Sequence, residues 1–341
     1  MNKILIDAFG GDNSPSAVIE GTITALKERD GFIAVLVGNP EIISEELKKY
    51  SYDKERVEIL PASEVITCEE EPTVAIRKKP DSSICVAIKE LRTNDDAKAF
   101  VSAGSTGAVL VGATLKLGRI LGVNRPALTT IMPTLIEGKN VVLLDAGANA
   151  DCKAINLCQF AFMGSEYAKI KFGIENPKVG LLSNGAEDEK GNMLNHEVFP
   201  VLKEMKEINF IGNVEARDIL VGEVDVIVTD GFSGNVAVKS IEGAVQFTLK
   251  LIKQGIYSNV KSKIGGMLLK GTFNKLRAKV DHNKHGGAVL LGAGKLVVKA
   301  HGSSKASAFT ASIKMAVDMA EAELTEKIKA NISAISVGGE Q

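Results

Sequence analysis

The chain alternates short β-branched runs with helix-length amphipathic stretches, and most of the runs close on small, polar, Gly-rich turns. That alternation selects α/β architecture, because buried parallel strands need helices over both faces. Strands are predicted at Lys3–Asp7, Phe32–Gly38, Val57–Leu60, Ala99–Ser102 and Val141–Asp145. Others follow at Val179–Ser183, Phe210–Gly212, Val224–Thr229, Ala288–Leu291 and Leu296–Ala300. Ser14 as N-cap and Pro15 as first helical residue begin a predicted helix that runs to about Arg29. Further helices are predicted at Glu41–Tyr50, Ser82–Arg92, Lys153–Phe172, Met193–Lys206, Asn235–Gln254 and Ser303–Ala320, with a polar loop around Glu69–Pro72. No internal repeat and no Pro-, Ser- or charge-rich linker divides the chain, so residues 1–341 read as a single α/β domain.

Composition narrows the function. Lys and Arg number 41 against 42 Asp and Glu, a net charge of −1, which argues against a nucleic-acid binder with its basic excess. The four cysteines (Cys68, Cys85, Cys152 and Cys158) form no C-x-x-C pair, so a reduced, cytosolic compartment is expected. Met1–Ile6 is too short an apolar run for a signal peptide. The uncharged stretch Ala99–Leu115 is short for a membrane span and is broken by Ser102, Gly104, Ser105, Thr106 and Gly107.

Six loops carry the chemical signal: Asp7–Asp12, Ser102–Gly107, Asp145–Asn149, Ser183–Gly185, Thr229–Asn235 and Ala300–Ser304. In an open α/β sheet such turns lie at the carboxyl ends of the strands, where ligands bind. Glycine admits a ligand close to backbone N–H groups, and Asp, Asn, Ser, Thr or His stands in every one of these loops. The pattern predicts a polar cleft that accepts an anion. No P-loop, H-E-x-x-H or G-x-S-x-G motif is present, and Gly292-Ala-Gly294-Lys295 fails the dinucleotide fingerprint at its third glycine. Asp145, Asp151 and Asp230 are open to two readings, a Mg²⁺ cluster or helix caps and turns.

These loops, with Phe210–Asp218 and Gly286–Ser304, resemble the bacterial phosphate acyltransferase family of phospholipid synthesis, the PlsX family, over essentially the whole chain. The resemblance implies transfer of a fatty acyl chain from acyl carrier protein to inorganic phosphate, giving an acyl phosphate. It also implies a three-layer α/β/α Rossmann-like fold related to phosphotransacetylases and isocitrate dehydrogenases. A homodimer is implied too, peripheral on the inner face of the cell membrane and working with a downstream membrane glycerol-3-phosphate acyltransferase. Phe9 stands where the family has Met, and Ser105 where it has Asn.

Phosphate is already a nucleophile, so acyl transfer from a thioester needs an anion cradle and oxyanion donors but no enzyme nucleophile, and no cofactor. Direct transfer is therefore expected, with an acyl-enzyme on Cys85, Cys152 or Cys158 as the alternative. His301, Asn184 and Asn235 are the catalytic candidates: His301 because it leads into the Gly302-Ser303-Ser304 turn, the asparagines as amide donors. Gly10, Gly11, Asp12, Ser105, Thr106, Asn149, Asp230, Ser303 and Ser304 are the candidates for holding phosphate.

Residues 243–280 stand apart, with eight basic residues and no Asp or Glu. Apolar residues recur there at helical spacing (Ile256, Val260, Ile264 and Met267, then Leu269, Phe273, Leu276 and Val280), around a predicted apolar turn at Gly265–Leu269. The expectation is a protruding amphipathic hairpin that pairs across a dimer. Lys263, Met267, Leu268, Leu269, Lys270 and Arg277 would meet an anionic membrane or the carrier protein. Three other readings remain at this point: an acyl-CoA:phosphate transferase of the phosphotransacetylase kind, a metal-dependent decarboxylating dehydrogenase, and a non-catalytic scaffold.

Overall fold

The computed structural model describes residues 1–279, 286–332 and 335. The amino-terminal half begins with β1 (Asn2–Asp7), α1 (Ser16–Glu28), β2 (Phe32–Gly38), α2 (Pro40–Leu47) and β3 (Val57–Pro61). It continues through α3 (Pro72–Lys78), α4 (Ser83–Thr93), β4 (Ala97–Ser102) and α5 (Thr106–Gly112). Strands β5 (Ala127–Leu128), β6 (Thr130–Pro133) and β7 (Asn140–Leu144) come next, then α6 (Ala154–Phe172), β8 (Lys178–Ser183), α7 (Met193–Glu204), β9 (Asn209–Glu215) and β10 (Val226–Val228). Helices α8 (Gly231–Tyr257), α9 (Val260–Leu268) and α10 (Lys270–Lys279) lead to β11 (Ala288–Leu291), β12 (Leu296–Lys299), α11 (Ala306–Glu321) and α12 (Leu324–Asn331).

The α/β class is as expected, and the strands form two sheets. One has seven strands in the order β3-β2-β1-β4-β12-β11-β5; the other has five, β6-β7-β10-β8-β9. Strands β3, β2, β1, β4 and β12 are mutually parallel, so the loops after β1, β4 and β12 emerge side by side at one edge. A single apolar cluster takes in Ile4 and Ile6 of β1, Leu144 of β7, Val226 of β10, Phe160 of α6 and Phe309 of α11. The two sheets therefore share a core.

Several elements depart from the expectation for local reasons. Helix α1 starts at Ser16, because the Ser14 hydroxyl donates to the Gly11 carbonyl at 2.9 Å and so serves the preceding turn. The Glu69–Pro72 loop runs into α3, which the Glu71 carboxylate caps at the N–H groups of Thr73 and Val74. Strand β10 is short because Asp225 turns its carboxylate to the Lys178 N–H and the Lys139 ammonium. In the basic segment, α9 continues through Gly265-Gly266-Met267 and the break falls at Leu269. Gly266 lets Ile256 of α8 approach to 2.4 Å from where a Cβ would stand.

Asp145 holds the two sheets in register. Wholly buried at the end of β7, it accepts from the N–H groups of Leu128, Gly147, Ala148 and Asn149 and from the Asn149 amide, at 2.7 to 3.1 Å. Leu128 belongs to the seven-stranded sheet and Asp145 follows the five-stranded one. Burial pushes the Asp145 carboxyl up, and the N–H groups of Ala148, Leu128 and Gly147 with the Asn149 amide pull it back. Replacing Asp145 by Ala orphans these donors, each at about 1–3 kcal/mol. Urea unfolding of Asp145→Ala is expected to show a loss of about 3 kcal/mol or more. A loss below about 1 kcal/mol would contradict this role.

Candidate active site

Where the two sheets meet, a cavity of about 280 Å³ opens against Thr129, the residue between β5 and β6. Its walls come from the first turns of α8 (Asn235, Val238), the start of β11 (Gly287, Ala288) and the β12–α11 loop. Gly287 has to be glycine here, since a Cβ would sit 2.5 Å from the Lys299 carbonyl oxygen.

The wall from Lys299 to Ser304 carries the chemistry. Lys299 is 7% exposed, and its ammonium donates to the Ala300 carbonyl. Burial pushes this lysine down from 10.5 to about 8, and the neighbouring Cys68, Asp7 and Asp12 oppose the shift. Ser304 is 2% exposed, and its hydroxyl has no hydrogen-bond partner among the described residues. Ser183 Oγ and Asn213 Oδ1 are unpaired as well, but of the three residues Ser304 alone lines the cavity, which makes it a candidate binding group. His301 Nδ1 lies 2.9 Å from Ser303 Oγ and accepts from the Ser303 N–H at 3.3 Å. That acceptor role leaves Nε2–H as the donor of the neutral ring.

The neighbouring loops are tied to this wall. The Asp12 N–H donates to the Gly302 carbonyl at 2.8 Å, and the Asn13 amide to the carbonyls of Ser303 and Ser304. Asp7, buried, accepts from the Ser102 hydroxyl at 2.7 Å and the Phe9 N–H at 3.2 Å. Burial raises its pKa, and hydrogen bonds from Ser83, Ser102 and Phe9 oppose the rise. Gly10 packs so closely that a Cβ would lie 2.5 Å from Asp7 Oδ2. Phe9 packs its ring over Gly38 and against the core.

Of the predicted residues, His301, Asn235, Thr106 and Ser304 meet on this cavity, and Ser303 orients His301. Gly10, Gly11 and Asp12 form the loop beside it. Ser105 caps α5 through the Ala108 N–H. Asn149 donates its amide to Pro126 and Asp145, and Asp230 caps α8 at Ser233; both carry structure. Those same bonds occupy the carboxylates of Asp145 and Asp230, so the aspartate-cluster reading loses its donors. Asn184, exposed at the end of β8, does not line the cavity. Sequence reading missed Lys299, which stood as an inner residue of the predicted strand Leu296–Ala300 and is the last residue of β12. Burial pushes Cys152 up to about 11 and Cys158 to about 12, which removes the thiolate a nucleophile needs.

The sequence matches the family described as "Fatty acid synthesis protein" over residues 2–327. It belongs to that family. The phosphate acyltransferase of Clostridium novyi is 46% identical over 97% of this chain and 98% of its own length. That of Lactiplantibacillus plantarum is 43% identical over 95% and 92%. Both names class the family's members, this chain with them, as acyltransferases. A phosphotransacetylase from Streptococcus pyogenes (TM-score 0.62, 18% identity) and one from Staphylococcus aureus (TM-score 0.57, 17%) each cover 94% of this chain and 94% of their own, and so share its fold.

The depressed lysine has a consequence for stability. An unfolded chain holds the Lys299 proton to about 10.5 and the folded chain only to about 8, so between those values unfolding takes up a proton and stability rises with pH. Urea unfolding at pH 8 and pH 10 is expected to show this gain in the wild type relative to Lys299→Met. Parallel pH profiles for the two proteins would contradict it.

Proposed function

We propose that this acyltransferase moves a fatty acyl chain from the thioester of acyl carrier protein to inorganic phosphate, giving an acyl phosphate for phospholipid synthesis. The observation that carries the reading is the pairing of buried Lys299 with the unpartnered Ser304 hydroxyl on one cavity wall, beside His301. A buried ammonium is stabilised by an anion, and phosphate brings acceptors for both groups. The phosphate acyltransferase relatives support the same acceptor.

In this mechanism Lys299 and Ser304 hold hydrogen phosphate, and one of its oxygens attacks the thioester carbonyl carbon. The donor N–H groups of the cavity stabilise the oxyanion of the tetrahedral intermediate. The C–S bond then breaks. The proton lost by phosphate passes through His301 to the departing thiolate, leaving acyl phosphate and free thiol. Positioning and charge stabilisation suffice, and no covalent acyl-enzyme forms.

Incubation with long-chain acyl carrier protein and labelled phosphate, followed by hydroxylamine trapping, is expected to give acyl phosphate without nucleotide or added metal. His301→Ala is expected to lower turnover by roughly 10²-fold, the scale of losing an acid–base group or oxyanion donor. Single Cys85, Cys152 and Cys158 to Ala variants keep most of the rate. An acyl group trapped on any of these cysteines would overturn direct transfer, and a strict need for nucleotide or divalent metal would favour the dehydrogenase reading.

The arm formed by α8, α9 and α10 extends the reading to location. Beyond Gly234 no described side chain of α8 or α9 is buried, and Met267 and Leu268 are 68% and 83% exposed. Val280 lies outside the described residues, as does the side chain of Arg277. No helix among the described residues is long and apolar enough to cross a membrane. The arm pairs with its copy in a homodimer and sets Lys263, Met267, Leu268, Leu269 and Lys270 against the anionic inner face of the cell membrane, near the glycerol-3-phosphate acyltransferase that consumes the product. Each basic residue near such a surface adds about 1 kcal/mol, so binding is reversible and salt-sensitive. Leu268→Glu/Leu269→Glu is expected to stay dimeric and to lose co-sedimentation with anionic vesicles. Wild-type sedimentation of that variant would contradict the membrane role.

A further inference from the structure

A second depression of about 500 Å³ lies next to the cavity. Three elements contribute to both. Thr106 of α5 lines the cavity, and Leu110, one turn on, lines the depression. Ala146 lines the first and Ala148 the second. Leu128 of β5 faces the cavity and its register partner on β11, Leu290, faces the depression. Paired residues of neighbouring strands share a face of the sheet, with Cβ atoms about 5 Å apart. Cavity and depression thus adjoin along these elements, as the inner and outer parts of a candidate trough.

The outer part is apolar in its floor and cationic at its rim. Leu110, Leu115 and Leu290 line it, with Arg77, Arg119 and Arg125 around them. None of the three makes an ion pair within contact distance among the described residues, although the charge of Arg77 reaches Glu71 and Asp151 lies near Arg119 and Arg125; Arg29, Arg56 and Arg217 all make ion pairs. The Arg119 guanidinium donates to the Asn124 carbonyl, and Arg125 Nη1 to the Asp151 carbonyl at 3.4 Å. A guanidinium has five N–H donors, so each retains capacity for an external anion.

We propose that this outer trough binds the phosphopantetheine arm of the acyl donor, with its phosphate at Arg77, Arg119 and Arg125 and its thioester in the cavity. The inference rests on the acyl-phosphate reading and adds to it where the leaving thiol lies. An apolar floor accepts the gem-dimethyl and methylene groups of the arm, and Thr73 and Thr114 on the same walls suit its amides. The phosphate must lie at some distance from sulfur, and the trough puts its cationic rim beyond the reaction cavity. Carrier protein and coenzyme A both present this arm, so the shared chemistry defines the site.

The test compares three acyl donors at fixed phosphate: acyl carrier protein, acyl-CoA and acyl-N-acetylcysteamine, which has the thioester but no phosphate. The variants are Arg77→Gln, Arg119→Gln and Arg125→Gln. The Arg77 guanidinium makes no hydrogen bond among the described residues and sits at an exposed position of α3, so Arg77→Gln is the variant that removes least from the fold. Each variant is expected to lower kcat/KM for a phosphate-bearing donor, relative to the truncated donor, roughly tenfold, the scale of one charge-assisted hydrogen bond. The loss appears mainly in KM and shrinks with added salt. A loss confined to the carrier protein, or to acyl-CoA, supports the site and names its natural source. An unchanged ratio in all three variants overturns the site while leaving the acyl-phosphate reading intact. A wild type that makes no acyl phosphate from any donor overturns both.

Discussion

One buried carboxylate, Asp145, sets the geometry on which the site depends. It accepts an N–H from Leu128 of one sheet and closes its own loop at the end of the other, and Asn149, drawn against it, carries a bond on to Pro126. The Gly231 N–H donates to the Asn149 carbonyl at 2.7 Å, which fixes where α8 begins. The cavity has α8 on one side and the β12–α11 loop on the other, so its width follows from this loop. Removing the carboxylate would loosen the sheets and the reaction site together.

Within that frame the residues divide by what burial does to them. Lys299 is held in a setting that disfavours its charge, with a carbonyl as its hydrogen-bond acceptor. In the proposed function an arriving anion relieves that cost, and an unfavourable feature of the fold would favour phosphate. Cys152 and Cys158 show the same force on a thiol, which burial moves away from reactivity. The outer part of the arm shows the opposite case: Ala237, Val238 and Ile241 pack against the five-stranded sheet, whereas Phe247, Leu251, Met267 and Leu268 stay exposed. A surface of that kind fits association.

Much of the fold was legible because strand and helix periods are local. Phe32–Gly38 and Ala288–Leu291 occupy the predicted bounds, and α6 begins within one residue of its prediction. The two- and four-residue strands β5 and β6 are too short to show a period, so the crossing between sheets at Thr129 was hidden. The Gly-rich loops pointed to an anion site; those after β4 and β12 reach the cavity, the β1 loop lying against them, because these strands are parallel neighbours, and Ala146 and Asn235 reach it from the other sheet. Which strands share a sheet is not local information. Asn184 was therefore grouped with residues of another sheet, and Lys299 stood within a predicted strand, where nothing local marks a lysine that the tertiary fold buries. Asn149 and Asp230 illustrate the remaining limit, since a residue type that suits a ligand equally suits a cap, and only side-chain geometry distinguishes them.

The central claim is that phosphate itself attacks the thioester in the cavity walled by Lys299, His301 and Ser304. Rapid-quench mixing of the enzyme with acyl carrier protein, in excess over the donor and without phosphate, tests it most directly by counting released carrier thiol. The account predicts no release until phosphate is added, then release and acyl phosphate in equal amounts. A burst of thiol stoichiometric with the donor before phosphate is present would contradict it.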